Sequence, residues 1–158
     1  MKTRLTTLLT SIGFLWGSAG FAGFDITRMT TVVDDLSGSY TVTKNGRLDE
    51  GQFSGTSVTE FNSFHPGAGE NEAVISGVIT KTSSGGAGKV NTTADGSFTL
   101  NSLMADWEVS FTGLQINVSE DGVSLEGTIE VNSDVFDAAD LPEAVARVLH
   151  RVFWLTRR

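Results

Sequence analysis

Residues 107–131 read WEVSFTGLQINVSEDGVSLEGTIEV, and two features of this stretch decide the fold. Val123, Leu125, Gly127, Ile129 and Val131 alternate with Ser124, Glu126, Thr128 and Glu130. A period of two, apolar on one side and acidic on the other, is the pattern of a half-buried strand. Upstream, Trp107, Val109 and Phe111 occupy odd positions while Leu114, Ile116 and Val118 occupy even ones. The inward phase reverses across Thr112-Gly113, which is what one inserted bulge residue does to a strand.

The same pattern extends outward through a Ser/Thr/Gly-rich body. Strands are expected over 39–44, 47–61, 72–82, 88–94, 97–103, 107–119 and 122–132, with 26–33 as a further edge strand. Asn45-Gly46, Asp95-Gly96 and Asp121-Gly122 supply hairpin turns between them. Short links make neighbours antiparallel, so the chain reads as mainly β, a meander of about seven or eight strands. Glycines inside strands (Gly55, Gly77, Gly113 and Gly127) mark bulges or bends, and predict a strongly curved sheet or barrel. A two-sheet β-sandwich is the alternative.

The C-terminus carries a different period. Asp140-Leu141-Pro142-Glu143 has a capping residue, a first-turn proline and an acid three residues after the cap. Beyond it Val145, Val148, Leu149, Val152 and Phe153 fall on one half of a helix, and Arg147, His150, Arg151, Trp154 and Arg158 on the other. Asp134, Asp137 and Asp140 near the start and four arginines toward the end complement the helix dipole. The apolar half is expected to pack on the sheet. The basic half is the candidate binding surface, facing an anionic membrane surface or a protein partner.

The first 22 residues, MKTRLTTLLTSIGFLWGSAGFA, have a basic start, a short apolar stretch and a small-residue end. This is the layout of a secretory signal peptide, with cleavage expected before Gly23. The apolar stretch is too short and too threonine-rich for a spanning helix. The organisation is therefore a signal at 1–22, an N-terminal segment at 23–36, a β domain at 37–133 and a C-terminal helix with a basic tail at 134–158. The protein is expected to be exported, to the periplasm or the extracellular space, in association with the envelope.

Charge and composition narrow the chemistry. The formal net charge of −8 and the acidic body argue against a nucleic-acid partner. With Cys 0 there is no disulfide framework, thiolate metal site or cysteine nucleophile. Asp34-Asp35, Asp49-Glu50, Glu70/Glu72 and Glu120-Asp121 lack a recognised metal-loop spacing, so no metal or cofactor is expected. Gly85-Gly86-Ala87-Gly88-Lys89 lacks the first glycine and the final hydroxyl of a phosphate loop. His65 is the one candidate general base, and no Gly-x-Ser-x-Gly elbow occurs. A non-catalytic protein is expected, an interaction or structural module. A carrier for a small apolar ligand inside a closed sheet is the alternative, and a carbohydrate hydrolase using paired carboxylates a weaker one.

Two partial resemblances follow from these residues. Leu141-Pro142-Glu143, an apolar run and Arg157-Arg158 resemble bacterial C-terminal sorting signals, but Ala144-Val145 departs from their Thr-Gly, and Arg147 and Arg151 interrupt the apolar run. The order of signal, meander and terminal helix is similar to lipocalin-type carriers in outline, without a Gly-x-Trp near the mature N-terminus.

Overall fold

Among the described residues of a computed structural model, nine antiparallel strands and one helix follow one another. The structure describes residues 23–67, 73–86, 89–103, 105–119 and 122–156. The signal peptide expected at 1–22 lies outside the described residues, as do Glu70, Glu72, Glu120, Asp121 and Arg158. The strands are β1 (Phe24–Val33), β2 (Ser39–Asp49), β3 (Gln52–Phe64), β4 (Val74–Gly86), β5 (Lys89–Asn101), β6 (Asp106–Ser119), β7 (Gly122–Glu126), β8 (Thr128–Val131) and β9 (Asp134–Asp137), and the helix is α1 (Glu143–Leu155).

Each strand pairs with the next up to β6, which then pairs with β7 along one half and β8 along the other, and β8 pairs with β9. The result is a single open sheet. It has free edges at β1 and β9, so it is neither a closed barrel nor a two-sheet sandwich. The expected segment 122–132 splits at Gly127, and residues 134–137, assigned above to the helical tail, form the last strand.

Two of the expected turns are corrected. Asn45-Gly46 lies inside β2, and the β2–β3 hairpin closes at Glu50-Gly51, both at positive φ (48° and 76°). Side-chain pairing selects this register. A turn at Asn45-Gly46 would set Lys44 opposite Arg47 and Val42 opposite Asp49, whereas the observed pairing sets Tyr40 opposite Phe61 and Leu48 opposite Phe53. Asp95-Gly96 lies inside β5. There Asp95 stands opposite Thr112 and Gly113, between the pairs Ala94↔Leu114 and Gly96↔Phe111. This is the bulge read from the phase reversal. Its extra residue sits at Gly113 with φ 65°, and Gly113 N–H donates to Asp95 Oδ1 at 2.7 Å.

The inner face of the sheet is built in cross-strand rows. One row holds Val32, Tyr40, Phe61, Phe98, Val109 and Val131, and the next holds Val42, Thr59, Ile79, Phe111 and Ile129. Helix α1 lies on them. Val145, Leu149, Val152 and Leu155 are buried in the same cluster, and Phe153 stacks on Phe111 with ring centroids 5.5 Å apart. Fully burying such a side chain is worth roughly 1.5–3 kcal/mol, so four of them hold the helix firmly to the sheet.

The helix ends differ from expectation. Asp140 does not cap α1; the helix begins at Glu143 with Pro142 at the cap position, whose side chain has no hydrogen-bonding group, and Asp137 instead organises the preceding turn. The Oδ1 of Asp137 accepts from Ala139 N–H at 2.9 Å and its carbonyl from Asp140 N–H at 3.1 Å. At the far end no basic residue lies in the last turn. The cation comes instead from the sheet, where Lys81 Nζ on β4 donates to the carbonyl and hydroxyl of Thr156 at 3.2 and 2.6 Å.

Candidate functional site

Three places bear on function. The first holds the candidate base. His65 follows β3, and its Nδ1 lies 2.9 Å from Asp34 Oδ2 in the β1–β2 turn. The same carboxylate accepts the N–H of His65 at 2.6 Å and, through Oδ1, those of Leu36 and Gly38 at 2.8 Å each. The Asp34 side chain is only 7% exposed. Burial pushes its carboxyl up, but the His65 backbone and ring and the Leu36 and Gly38 N–H groups outweigh it and hold the group below its ordinary 3.8. These contacts go mostly to backbone, so the pair ties two loops together. It reads as a clip.

A consequence follows for acid stability. The depressed carboxyl stabilises the fold fully above its ordinary value, and that contribution is lost as pH falls through the lower folded value. Asp34→Ala is expected to cost about 1–3 kcal/mol at pH 7, with the difference from wild type shrinking in strong acid. Urea midpoints at both pH values check this; an equal difference at the two would contradict it.

The second place is the outward half of α1. Arg147, His150, Arg151 and Trp154 are exposed there, Trp154 at 51%. Arg147 lies 3.6 Å from Glu143 one turn earlier, and the Arg151 guanidinium sits near Gly67 in the loop after His65. Arg158, the remaining residue that the sequence assigns to this half, lies outside the described residues.

The third place escaped the sequence reading. Beyond the apolar rows, one further row of the inner face runs Arg28, Lys44, Ser57, Lys81, Ala94 and Leu114. The strand acids Asp25, Asp49, Glu60, Glu108, Glu126 and Glu130 alternate onto the opposite face. Arg47 is on that face too, 3.6 Å from Asp25 and 3.7 Å from Asp49. Three of the body's five basic residues therefore share one row on the inner side of an acidic sheet. Where α1 ends, this row floors a cleft of about 240 Å³, lined by Lys44, Phe53, Ser57, Lys81, Ser83, Thr92 and Thr156. Ser83 and Thr92 hydroxyls are 2.9 Å apart across it. Ser57 Oγ is buried with no hydrogen-bond partner among the described residues. Burial, and then the nearby Arg28 charge, lower the Lys44 ammonium below its usual range. The available signal was the phase of the strands, since Lys44 follows Val42 and Lys81 follows Ile79 at a spacing of two.

Among the described residues no three metal-ligating side chains come together, and no helix is long and apolar enough to cross a membrane. Compared with family models, curated proteins and solved structures, the chain shows no match.

Proposed function

We propose that the protein is an exported, non-catalytic interaction or structural module of the cell envelope or extracellular space. The observation that carries this reading is the filling of the inner face by the chain's own helix. Val145, Leu149 and Val152 occupy the space a carrier would keep for an apolar ligand. His65, the one candidate base, is engaged with Asp34 in joining two loops. Export rests on the N-terminal sequence alone.

The surface offered to a partner is the outward half of α1, and its chemistry fits an anionic membrane surface. Because the apolar half is packed on the sheet, contact runs through Arg147 and Arg151 with Trp154 among them, followed in the sequence by the tail arginine Arg158, and not through insertion of the apolar stripe. Such a contact is electrostatic and therefore sensitive to salt. The purified protein is expected to co-sediment with vesicles rich in anionic lipid at low ionic strength. Binding should fall at about 0.5 M salt, where screening acts within a few ångströms. It should also fall when Arg147, Arg151 and Arg158 are changed together to Ala. Absence of binding, or binding that neither salt nor the triple variant weakens, would remove the membrane reading and leave a protein partner.

A further inference from the structure

We propose that β1 is a docking edge for a second copy of this chain. The two β1 strands pair antiparallel about a two-fold axis, so that one sheet runs through both copies. This edge is separate from the outward half of α1, and the inference does not depend on the membrane contact proposed there.

Three observations carry it. First, β1 leaves one whole side of its backbone without a strand. It pairs residue for residue with β2 from Phe24 to Val33, and no other described strand lies beyond it. The ten residues form an unbroken run of roughly 33 Å, with no proline and no bulge. Edge strands are ordinarily short, charged or bulged, because a bare row of N–H and C=O groups recruits another strand. The opposite edge follows that rule: β9 has four residues, and two of them are Asp134 and Asp137. The β1 edge does not. Second, its exposed apolar side chains stand on both faces of the sheet. Phe24 (50% exposed) and Ile26 (41%) are on the inner face, Met29 (51%) and Val33 (44%) on the outer. A helix or a membrane covers one face of a sheet, whereas an added strand carries both faces onward. Third, β1 is complementary to itself. Opposed residues of an antiparallel pair share a face, so a two-fold axis that keeps the inner faces together passes through a residue. The midpoint of the strand falls between Arg28 and Met29. An axis through Arg28 would oppose two guanidiniums, and one through Met29 moves them to the diagonal. The Met29 axis sets Met29 opposite its own copy, Ile26 opposite Val32, Thr27 opposite Thr31 and Arg28 opposite Thr30. No like charges are then directly opposed. With one acid and one base, β1 is also a neutral stretch on which two chains of net charge −8 can meet.

Pairing along one strand buries less than about 1,200 Å² in all, the low end for specific contacts, so a reversible dimer with a Kd of about 1–100 μM is expected. Sedimentation velocity of the purified protein, without vesicles, should pass from monomer to dimer as concentration rises through that range, with no larger species. Met29→Lys sets two ammonium groups face to face and should weaken association at least about tenfold. Its urea midpoint at low concentration should stay level, because Met29 is half exposed in the single chain. With Cys 0, disulfides can read the register. Directly opposed residues lie about 4.5–5.5 Å apart between Cα atoms, within disulfide reach. Met29→Cys should therefore link to its own copy under mild oxidation, and Thr27→Cys to Thr31→Cys when the two variants are mixed. Both should link faster than Leu103→Cys, which is 80% exposed between β5 and β6. A monomer at every concentration would overturn the proposal and leave the edge to a strand of another protein. Assembly beyond the dimer, a dimer that Met29→Lys does not weaken, or Met29→Cys linking no faster than Leu103→Cys would overturn it as well.

Discussion

Leu149→Ala is expected to destabilise the protein by about 2–5 kcal/mol, and Leu149→Asp to abolish the cooperative unfolding transition. Leu149 is 3% exposed, in the cluster that joins α1 to the sheet, with Val145 and Val152 on the same stripe. Truncating it removes the transfer free energy of the lost carbons and leaves a cavity between helix and sheet. Aspartate there would put an unpaired charge in the core. The size of the effect matters because total stability for a domain of this kind is about 5–15 kcal/mol. Urea unfolding followed by circular dichroism reads both variants. His150→Ala, on the exposed face one residue later, should stay within about 0.5 kcal/mol of wild type. If Leu149→Ala behaved like His150→Ala, α1 would not be part of the core.

The second large effect is expected at Gly77 and Gly96. These glycines sit diagonally across the β4–β5 pair, Gly77 opposite Phe98 and Gly96 opposite Ile79. Both have positive φ, 142° and 152°, a region that side chains rarely enter. Their close neighbours are backbone and cannot move aside. A Cβ on Gly77 would lie 2.6 Å from Phe98 Cα, and one on Gly96 2.9 Å from Ile79 Cα. The two absent side chains allow β4 and β5 to coil tightly where the inner face curves beneath α1. Gly77→Ala and Gly96→Ala should each cost about 2–4 kcal/mol, adding backbone strain to overpacking. Gly51 is the control: its φ is 76°, but nothing lies within 4 Å of its Cβ position. Gly51→Asn should cost under about 1 kcal/mol, since asparagine tolerates that conformation. Thermal or urea melts of the three variants decide the matter. Equal losses at all three would mean that crowding between β4 and β5 does not shape the sheet.

How far the chain can be read without its structure depends on the range of the interaction. The bulge at Thr112-Gly113 was legible because the phase of inward residues changes within a single strand, a purely local record. The amphipathic helix was legible for the same reason. The β2–β3 turn was not, because Asn45-Gly46 and Glu50-Gly51 can both turn locally and the choice between them lies in cross-strand pairs such as Tyr40 with Phe61. The Asp34–His65 clip spans 31 residues, and no local pattern marks it. The end of α1 is similar. Its arginines suggested a self-contained dipole partner, whereas Lys81, 75 residues from Thr156, supplies the cation. The cationic row was hidden by the misplaced turn itself. Once β2 is divided at Asn45, Lys44 becomes a turn-flanking residue, and its phase with Val42 no longer points inward.

All of this depends on α1 lying with its apolar stripe on the inner face, close to β6. Cys 0 makes the direct measurement simple, since an introduced cysteine has no native thiol to compete with. Phe111 on β6 and Phe153 on α1 have ring centroids 5.5 Å apart, and a Phe111→Cys variant probes that approach. The account predicts that a thiol at 111 resists maleimide in the folded protein and reacts in urea, because α1 covers it, whereas the thiol of a Trp154→Cys variant on the exposed face reacts at once. Equal, rapid labelling at 111 and 154 while the protein remains folded would contradict it.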